Sequence, residues 1–279
     1  MFKIRKMTPD DFKFAVHITD TMNWKMAQED FEFMLKLEPQ GCFVLLDDSE
    51  KIGIATTISF GKVGWFGNLI VTEVHRNKGA GSRLVKHAIK YLTNKKVETV
   101  GLYAYLDKIP FYRKLGFEYE SEFIVLKGKG FSSPAMVNLR RAKKENIQDI
   151  INLDKACFGA SRKKILESIL LDPNNPSYMA IEDGQILGYA TARPYEDTAE
   201  LGPLVCKQGR SDIAINLLKA NLKRLKRLDV YTCIPKRESA VLKMLMKSGF
   251  KESFRVARMF FKPRMIKDCI YVAESLERG

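Results

Sequence analysis

Between positions 72 and 82 the chain reads Thr72-Glu73-Val74-His75-Arg76-Asn77-Lys78-Gly79-Ala80-Gly81-Ser82. Glycine at 79 and 81 lets the backbone come close to a ligand, and a helix opening near Ser82 aims its unpaired first-turn N–H groups at the same spot. The helix dipole and the cations of Arg76 and Lys78 add positive charge, so a pyrophosphate is the natural occupant. The competing reading is a glycine turn that only joins two elements. About thirty residues on, Phe111-Tyr112-Arg113-Lys114-Leu115-Gly116-Phe117 supplies a phenol. Tyr112 there is an aromatic with a polar tip beside Phe111, which can supply the packing.

Such a loop needs a strand before it and a helix after it, and the pattern provides both. Residues 65–71 read as a strand, Leu84, Val85, Ala88, Ile89 and Leu92 keep helical spacing, and 97–103 return to strand. Upstream, 43–46 and 52–59 flank Asp47-Asp48-Ser49-Glu50 as a hairpin. A dinucleotide fingerprint fits poorly, because the glycines are too few and no acid is placed for a ribose. A phosphate loop ending Gly-Lys-Ser/Thr is absent.

The pattern occurs twice. Ile4-Arg5 matches Leu139-Arg140, Asp10 matches Glu145, Gly53-Ile54-Ala55-Thr56 matches Gly188-Tyr189-Ala190-Thr191, and Gly67-Asn68-Leu69-Ile70 matches Gly202-Pro203-Leu204-Val205, all at one offset. Gly116-Phe117 meets Gly249-Phe250 two positions short of it. A register held over so long a stretch predicts two copies of one fold, 1–130 and 137–279, joined by the turn-rich Gly128-Lys129-Gly130-Phe131-Ser132-Ser133-Pro134.

The loop and the later Phe-Tyr-x-Lys-x-Gly-Phe segment together resemble the GNAT N-acetyltransferases, and in particular tandem members with a degenerate second copy. Asn23-Trp24-Lys25, Glu29-Asp30 and Phe43 fit the first copy of that group, while Leu201-Gly202-Pro203-Leu204-Val205 and Arg258-Met259 fit its second. The resemblance implies an α/β fold with a mixed sheet, built as two tandem acyl-CoA N-acyltransferase domains. It implies acetyl-CoA as the acyl donor: the main chain of Leu69 and Val71 holds the pantetheine arm, an N–H near Ile70 or Val71 polarises the thioester, and Arg76, Asn77, Lys78, Gly79, Ala80, Gly81 and Ser82 wrap the pyrophosphate. Tyr112 corresponds to the tyrosine that protonates the departing thiolate, and transfer goes by direct attack of a primary amine. The fourth and fifth strands are expected to splay apart. Relatives carry a Glu or His base on the fourth strand where this chain has Trp65 and Gly67, so the base is open among Glu73, His75, Asp107 and a water relay. Trp24, between two helical segments, is a candidate for stacking on a small-molecule or peptide amine acceptor.

In the second copy the loop is replaced by Lys207-Gln208-Gly209-Arg210-Ser211-Asp212-Ile213-Ala214, with Asp212 set against the anion site, and Leu245 stands for Tyr112. This half reads as structural or acceptor-binding. Residues 1–137 hold 20 Lys and Arg against 16 Asp and Glu, and the remainder 27 against 17. The surplus lies mostly outside the cofactor motif, and an expected helix over 213–228 carries Lys219, Lys223, Arg224, Lys226 and Arg227 around a leucine stripe. It is a solvated face or, in the alternative reading, a binding module for an acidic partner such as nucleic acid. Five dispersed cysteines, with no Cys-x-x-Cys pair, and three histidines give neither a disulfide framework nor a metal site. With no apolar run long enough for a membrane, a soluble, cytoplasmic protein in a reducing compartment is expected.

Overall fold

The computed structural model describes residues 1–24, 26–132 and 139–279. Lys25, the Ser133-Pro134 part of the expected linker and the expected second start at 137 lie outside the described residues. The first half runs β1 (Phe2–Lys6), α1 (Phe12–Asp20), α2 (Gln28–Leu37), β2 (Cys42–Asp47), β3 (Glu50–Ser59), β4 (Val63–Val71), α3 (Ala80–Asn94), β5 (Thr99–Tyr105), α4 (Ile109–Arg113) and β6 (Phe117–Lys129). The second repeats that order as β7 (Leu139–Arg141), α5 (Ile147–Phe158), α6 (Lys163–Leu170), β8 (Ser177–Glu182), β9 (Gln185–Pro194), β10 (Thr198–Cys206), α7 (Ser211–Arg224), β11 (Asp229–Pro235), α8 (Ser239–Lys247) and β12 (Lys251–Phe261). A short β13 (Ile270–Val272) follows, with no counterpart among the described residues of the first half.

The expected hairpin forms, with Asp47 opposite Glu50 in an antiparallel β2–β3 pair. The extent of the basic helix is corrected. The basic helix ends at Arg224 rather than near 228, because the chain turns at Leu225 and Arg227 takes a left-handed φ of 80° that no α-helix accommodates.

All the strands belong to one sheet, ordered β1-β2-β3-β4-β5-β12-β6-β11-β10-β9-β8-β7, with β13 on β10. The order departs from two self-contained copies at the centre. There β12 lies between β5 and β6, pairing Met259 with Leu102 on one side and with Tyr119 on the other. β6 in turn pairs with β11. Each half thus seats its last strand in the other half's sheet, and the cores follow. α3 packs Leu84, Val85, Ala88 and Leu92 with Phe66 and Val100 and also with Ala257 and Met259 of β12. Leu217, Leu218 and Leu222 of α7 lie in one core with Ala190, Leu204 and with Ile124 and Leu126 of β6. On the opposite face of the first half, α1 and α2 bring Phe12, Ile18, Phe31 and Met34 onto Val44, Ile54 and Ile70.

Polar contacts also cross between the halves. Glu38, at the end of α2, takes hydrogen bonds from Tyr91 and Lys95 of α3 at 2.6 Å, from the Ser59 N–H at 2.9 Å and from Lys164 of α6 at 2.9 Å. Cys157 and Cys269 form a disulfide 112 residues apart in sequence. It overturns the expectation of a wholly unpaired cysteine set. Spacing along a chain reveals short-range pairs, whereas this one exists only because the segment after β12 returns to α5, where the Lys267 N–H donates to the Cys157 carbonyl at 2.8 Å. Cys42, Cys206 and Cys233 are free and buried.

Burial alone would raise the Glu38 carboxyl, but its donors outweigh that and hold it at about 2 against an ordinary 4.5. A depressed carboxylate contributes stability above its unfolded pKa and loses it as pH falls through the folded one. Glu38→Gln is therefore expected to lower the urea midpoint at pH 7, with the difference from the parent shrinking between pH 4.5 and 2. A difference independent of pH would remove the ionic origin of the link.

Candidate active site

β4 and β5 run parallel and pair only at Val63 with Thr99, Gly64 with Val100 and Trp65 with Gly101. Beyond Trp65 they separate, as expected. In the β3–β4 ladder Ile54 faces Ile70 and Thr56 faces Gly67, so Asn68 and Leu69 together oppose one residue and form a bulge, with Asn68 at φ 49°. The Thr72 N–H donates to the Ile52 carbonyl at 2.8 Å. Alternation along a strand then turns the backbone of Ile70 toward β3 and that of Leu69 and Val71 into the gap.

The loop sits at the mouth of this gap. Gly79 takes a φ of 84° as the N-cap of α3, which therefore starts at Ala80, and no side chain caps that helix. A Cβ at Gly79 would meet nothing within 4 Å, while one at Gly81 would lie 3.5 Å from the Phe111 ring. The first-turn N–H groups of α3 are thus unclaimed by a cap, beside exposed Asn77 and Lys78. Arg76 folds back: its Nε donates to the Val71 carbonyl at 3.0 Å and Nη2 reaches Met22 Sδ at 3.6 Å. Across the gap, Trp24 Nε1 donates to Tyr105 Oη at the end of β5 at 2.9 Å. The α1–α2 connection is thereby tied to both walls, and Trp24 is half-buried against the α1–α2 core.

Tyr112 lies in α4, with its ring 5.0 Å from that of Phe111 and 5.7 Å from that of Phe117. Burial raises its phenol well above the usual value. The three candidate bases lie elsewhere. His75 Nδ1 meets Thr72 Oγ1 at 2.9 Å and its Nε2 faces Asp47 of β2 at 3.8 Å, away from the gap. Asp107 pairs with Lys108 at 2.6 Å and is exposed, as is Glu73. Trp65 is fully buried in a core with Phe158 and Ile165 of the second half.

The second copy repeats the bulge at Gly202-Pro203, where the register shifts between Leu201 and Leu204. Its parallel pair also ends early, at Glu200 with Tyr231. Here the gap is filled. β13 pairs with β10 through Leu204 with Val272 and Val205 with Ile270, and the Ala273 N–H donates to the Cys233 carbonyl of β11 at 3.0 Å. At the start of α7, which like α3 has no side-chain cap, Arg210 bonds Asp212 at 3.0 Å and Glu182 at 2.9 Å. Leu245, opposite number to Tyr112, is wholly buried.

Residues 273–279 then cross to the first copy. Trp65 Nε1 donates to the Leu276 carbonyl at 3.2 Å, and a Cβ on Gly67 would fall 2.7 Å from both Cα and Cβ of Glu277. Arg162, buried with Asp154, bonds the Gly279 carbonyl. Nothing in the sequence pointed to this segment, since its short charged run has neither motif nor periodicity. Lys223, Arg224, Lys226 and Arg227 are all exposed, the first two at the C-terminal end of α7, where cations complement the dipole. Among the described residues no helix is long and apolar enough to cross a membrane, and no group of three metal-ligating side chains occurs.

The model of the acetyltransferase (GNAT) family matches residues 6–117, and that of an acetyltransferase (GNAT) domain matches 150–271. YitH of Bacillus subtilis, named as an uncharacterized N-acetyltransferase, is 22% identical over 211 residues, which cover 74% of this chain and 72% of YitH. The crystal structure of a putative acetyltransferase from Pyrococcus horikoshii superimposes with a TM-score of 0.83 at 21% identity, covering 100% of this chain and 96% of that one. A tandem GNAT protein from the clavulanic acid biosynthesis pathway gives a TM-score of 0.65 at 14% identity, over 93% and 98% of the two chains.

The packing of the tail into the second gap is tight at Gly202, where a Cβ would come within 2.0 Å of the Ala273 carbonyl oxygen. Gly202→Ala is expected to cost about 1–3 kcal/mol in urea unfolding, as overpacking does. It is also expected to speed hydrogen exchange at Ala273. Unchanged stability and exchange would show that the tail is not held there.

Proposed function

The chain belongs to the GNAT acetyltransferases, as two tandem copies, and on that premise we propose that its first copy transfers the acetyl group of acetyl-CoA to a primary amine. One observation carries the reading: of two gaps built alike, the first keeps unclaimed backbone groups and an uncapped helix start, while the second is closed by the chain's own β13.

Leu69 and Val71 offer N–H and C=O groups to a pantetheine arm as a strand would, and the first turn of α3 with Lys78 offers donors and charge to the pyrophosphate. For Arg76 to join them it must leave the Val71 carbonyl, so its present bond keeps that acceptor satisfied beforehand. An N–H of Leu69 or Val71, fixed beside the bulge, can stabilise the oxyanion that develops as the amine attacks. Tyr112 remains protonated at neutral pH because burial disfavours its phenolate, and it can release that proton to the departing thiolate as the C–S bond breaks, because the same desolvation raises the basicity of the sulfur. Trp24, braced by Tyr105 above the gap, is placed to bound the acceptor on the α1–α2 face. The proposed domain roles follow, with residues 1–130 carrying the cofactor and 137–279 completing the sheet and closing the acceptor side.

Tyr112→Phe is expected to retain acetyl-CoA affinity and to lower turnover about 10²–10⁴-fold, read as thiol release across an amine panel. Equal rates would assign Tyr112 to packing alone. Calorimetric titration is expected to give one acetyl-CoA per chain, abolished by Gly79→Glu with Gly81→Glu. Two sites, or binding that survives the double change, would overturn the assignment of the cofactor to the first copy.

A further inference from the structure

The first copy has no acid or imidazole on β4, yet the tail seats a glutamate, Glu277, against Gly67. Trp65 and Gly67 occupy the β4 face toward α1 and α2, two residues apart, and β4 has already parted from β5 at Gly67. Glycine leaves that position without a side chain. The space is filled by Glu277, whose Cα and Cβ press on it, and no larger residue fits unless the tail moves. The tail is held at several points: the Leu276 carbonyl on Trp65, Glu274 with Arg278 at 3.0 Å and with Arg193 of β9 at 3.0 Å, and Gly279 on Arg162. The Arg278 guanidinium also lies 5.5 Å from the Phe33 ring of α2. Glu274 and Arg278 are almost wholly buried, whereas 18% of the Glu277 side chain remains open.

We propose that Glu277, delivered by the second half onto Gly67, is the general base of the first copy. This rests on the acetyl-transfer reading. An acceptor arriving as an ammonium gives one proton to the Glu277 carboxylate, and its freed lone pair forms the C–N bond to the thioester carbon. The C–S bond breaks with its electron pair leaving on sulfur, the thiolate takes the Tyr112 proton, and the second proton lost by nitrogen restores Tyr112. Glu277 then releases its proton to solvent through its open edge.

The charges around Glu277 come from four elements. Arg278 pairs with it from the tail, Arg193 faces it from β9, Glu200 from β10, Glu274 from the tail and Asp30 from α2. Burial raises the Glu277 carboxyl, Arg278 opposes this, Glu200 and Glu274 add to it and Arg193 opposes it, leaving it above the ordinary value. Four carboxylates against two guanidiniums leave a net negative cluster that attracts a cationic amine and repels an anionic one.

The test uses the full chain with acetyl-CoA and a panel of spermidine, benzylamine and lysylglycine, following thiol release from pH 6 to 10. Glu277→Gln is expected to bind acetyl-CoA like the parent and to lose about 10²–10⁴-fold in kcat/KM near pH 7. The gap should close toward the acceptor's own pKa, where the amine arrives already deprotonated. Glu277→Ala should recover part of its rate with added formate but not with chloride. A Glu277→Gln enzyme as fast as the parent, or a gap that is constant with pH and unmoved by formate, overturns the base. A parent that binds acetyl-CoA but acetylates nothing in the panel instead overturns the acetyl-transfer reading, and this inference with it.

Discussion

Two parallel strands that part company leave facing rows of N–H and C=O groups, and the rest of this molecule is arranged around how those groups are satisfied. Unpaired backbone polar groups shut away from water are costly, so each such gap needs an occupant or access to solvent. β10 and β11 meet the requirement with the chain itself, through β13 and Ala273. β4 and β5 meet it only in part, with Arg76 on the Val71 carbonyl, while residues 276–279 pack beside the gap on the Trp65 indole and Gly67. The difference between the copies is thus a difference in which gap the chain has kept for itself.

The tail reaches both gaps because the sheet is continuous. β12 bonds to β5 and to β6, so the two halves are joined by main-chain ladders rather than by a side-chain interface. Main-chain pairing fixes register, and register fixes how far residues 262–279 must travel to pass first β10 and then β4. The buried Asp154–Arg162 pair, with the Tyr189 hydroxyl on Asp154 at 2.7 Å, provides the anchor at the far end. An ion pair of this kind is weak evidence for stability, since desolvation offsets its attraction, but breaking it strands a buried charge, which makes it effective at holding one geometry.

Electrostatics divide the first copy into two sides. On the α3 face the helix start, Arg76 and Lys78 are positive and suit phosphates. On the α1–α2 face Asp30, Glu200, Glu274 and Glu277 outnumber Arg193 and Arg278 and suit an ammonium. The overall charge of +14 conceals this, because it averages a cationic surface with a local anionic cluster.

Much was legible in the sequence because it depends on short-range chemistry. Glycines at 79 and 81 before an amphipathic run set a helix start with free N–H groups, the turn at 47–50 set a hairpin, and the repeated segments at a fixed offset set two copies of one fold. The same local logic marked the second loop as different, through Asp212 and the single Gly209. Tertiary structure decided what joins residues far apart in the chain: β12 inserted between β5 and β6, Cys157 bonded to Cys269, β13 placed in the second gap, and Glu277 seated on Gly67. A glycine on β4 reads in sequence as a missing side chain. Only the folded chain shows that the vacancy is filled from 210 positions away, because which segment packs against a strand is settled by the whole sheet and not by the residues beside it.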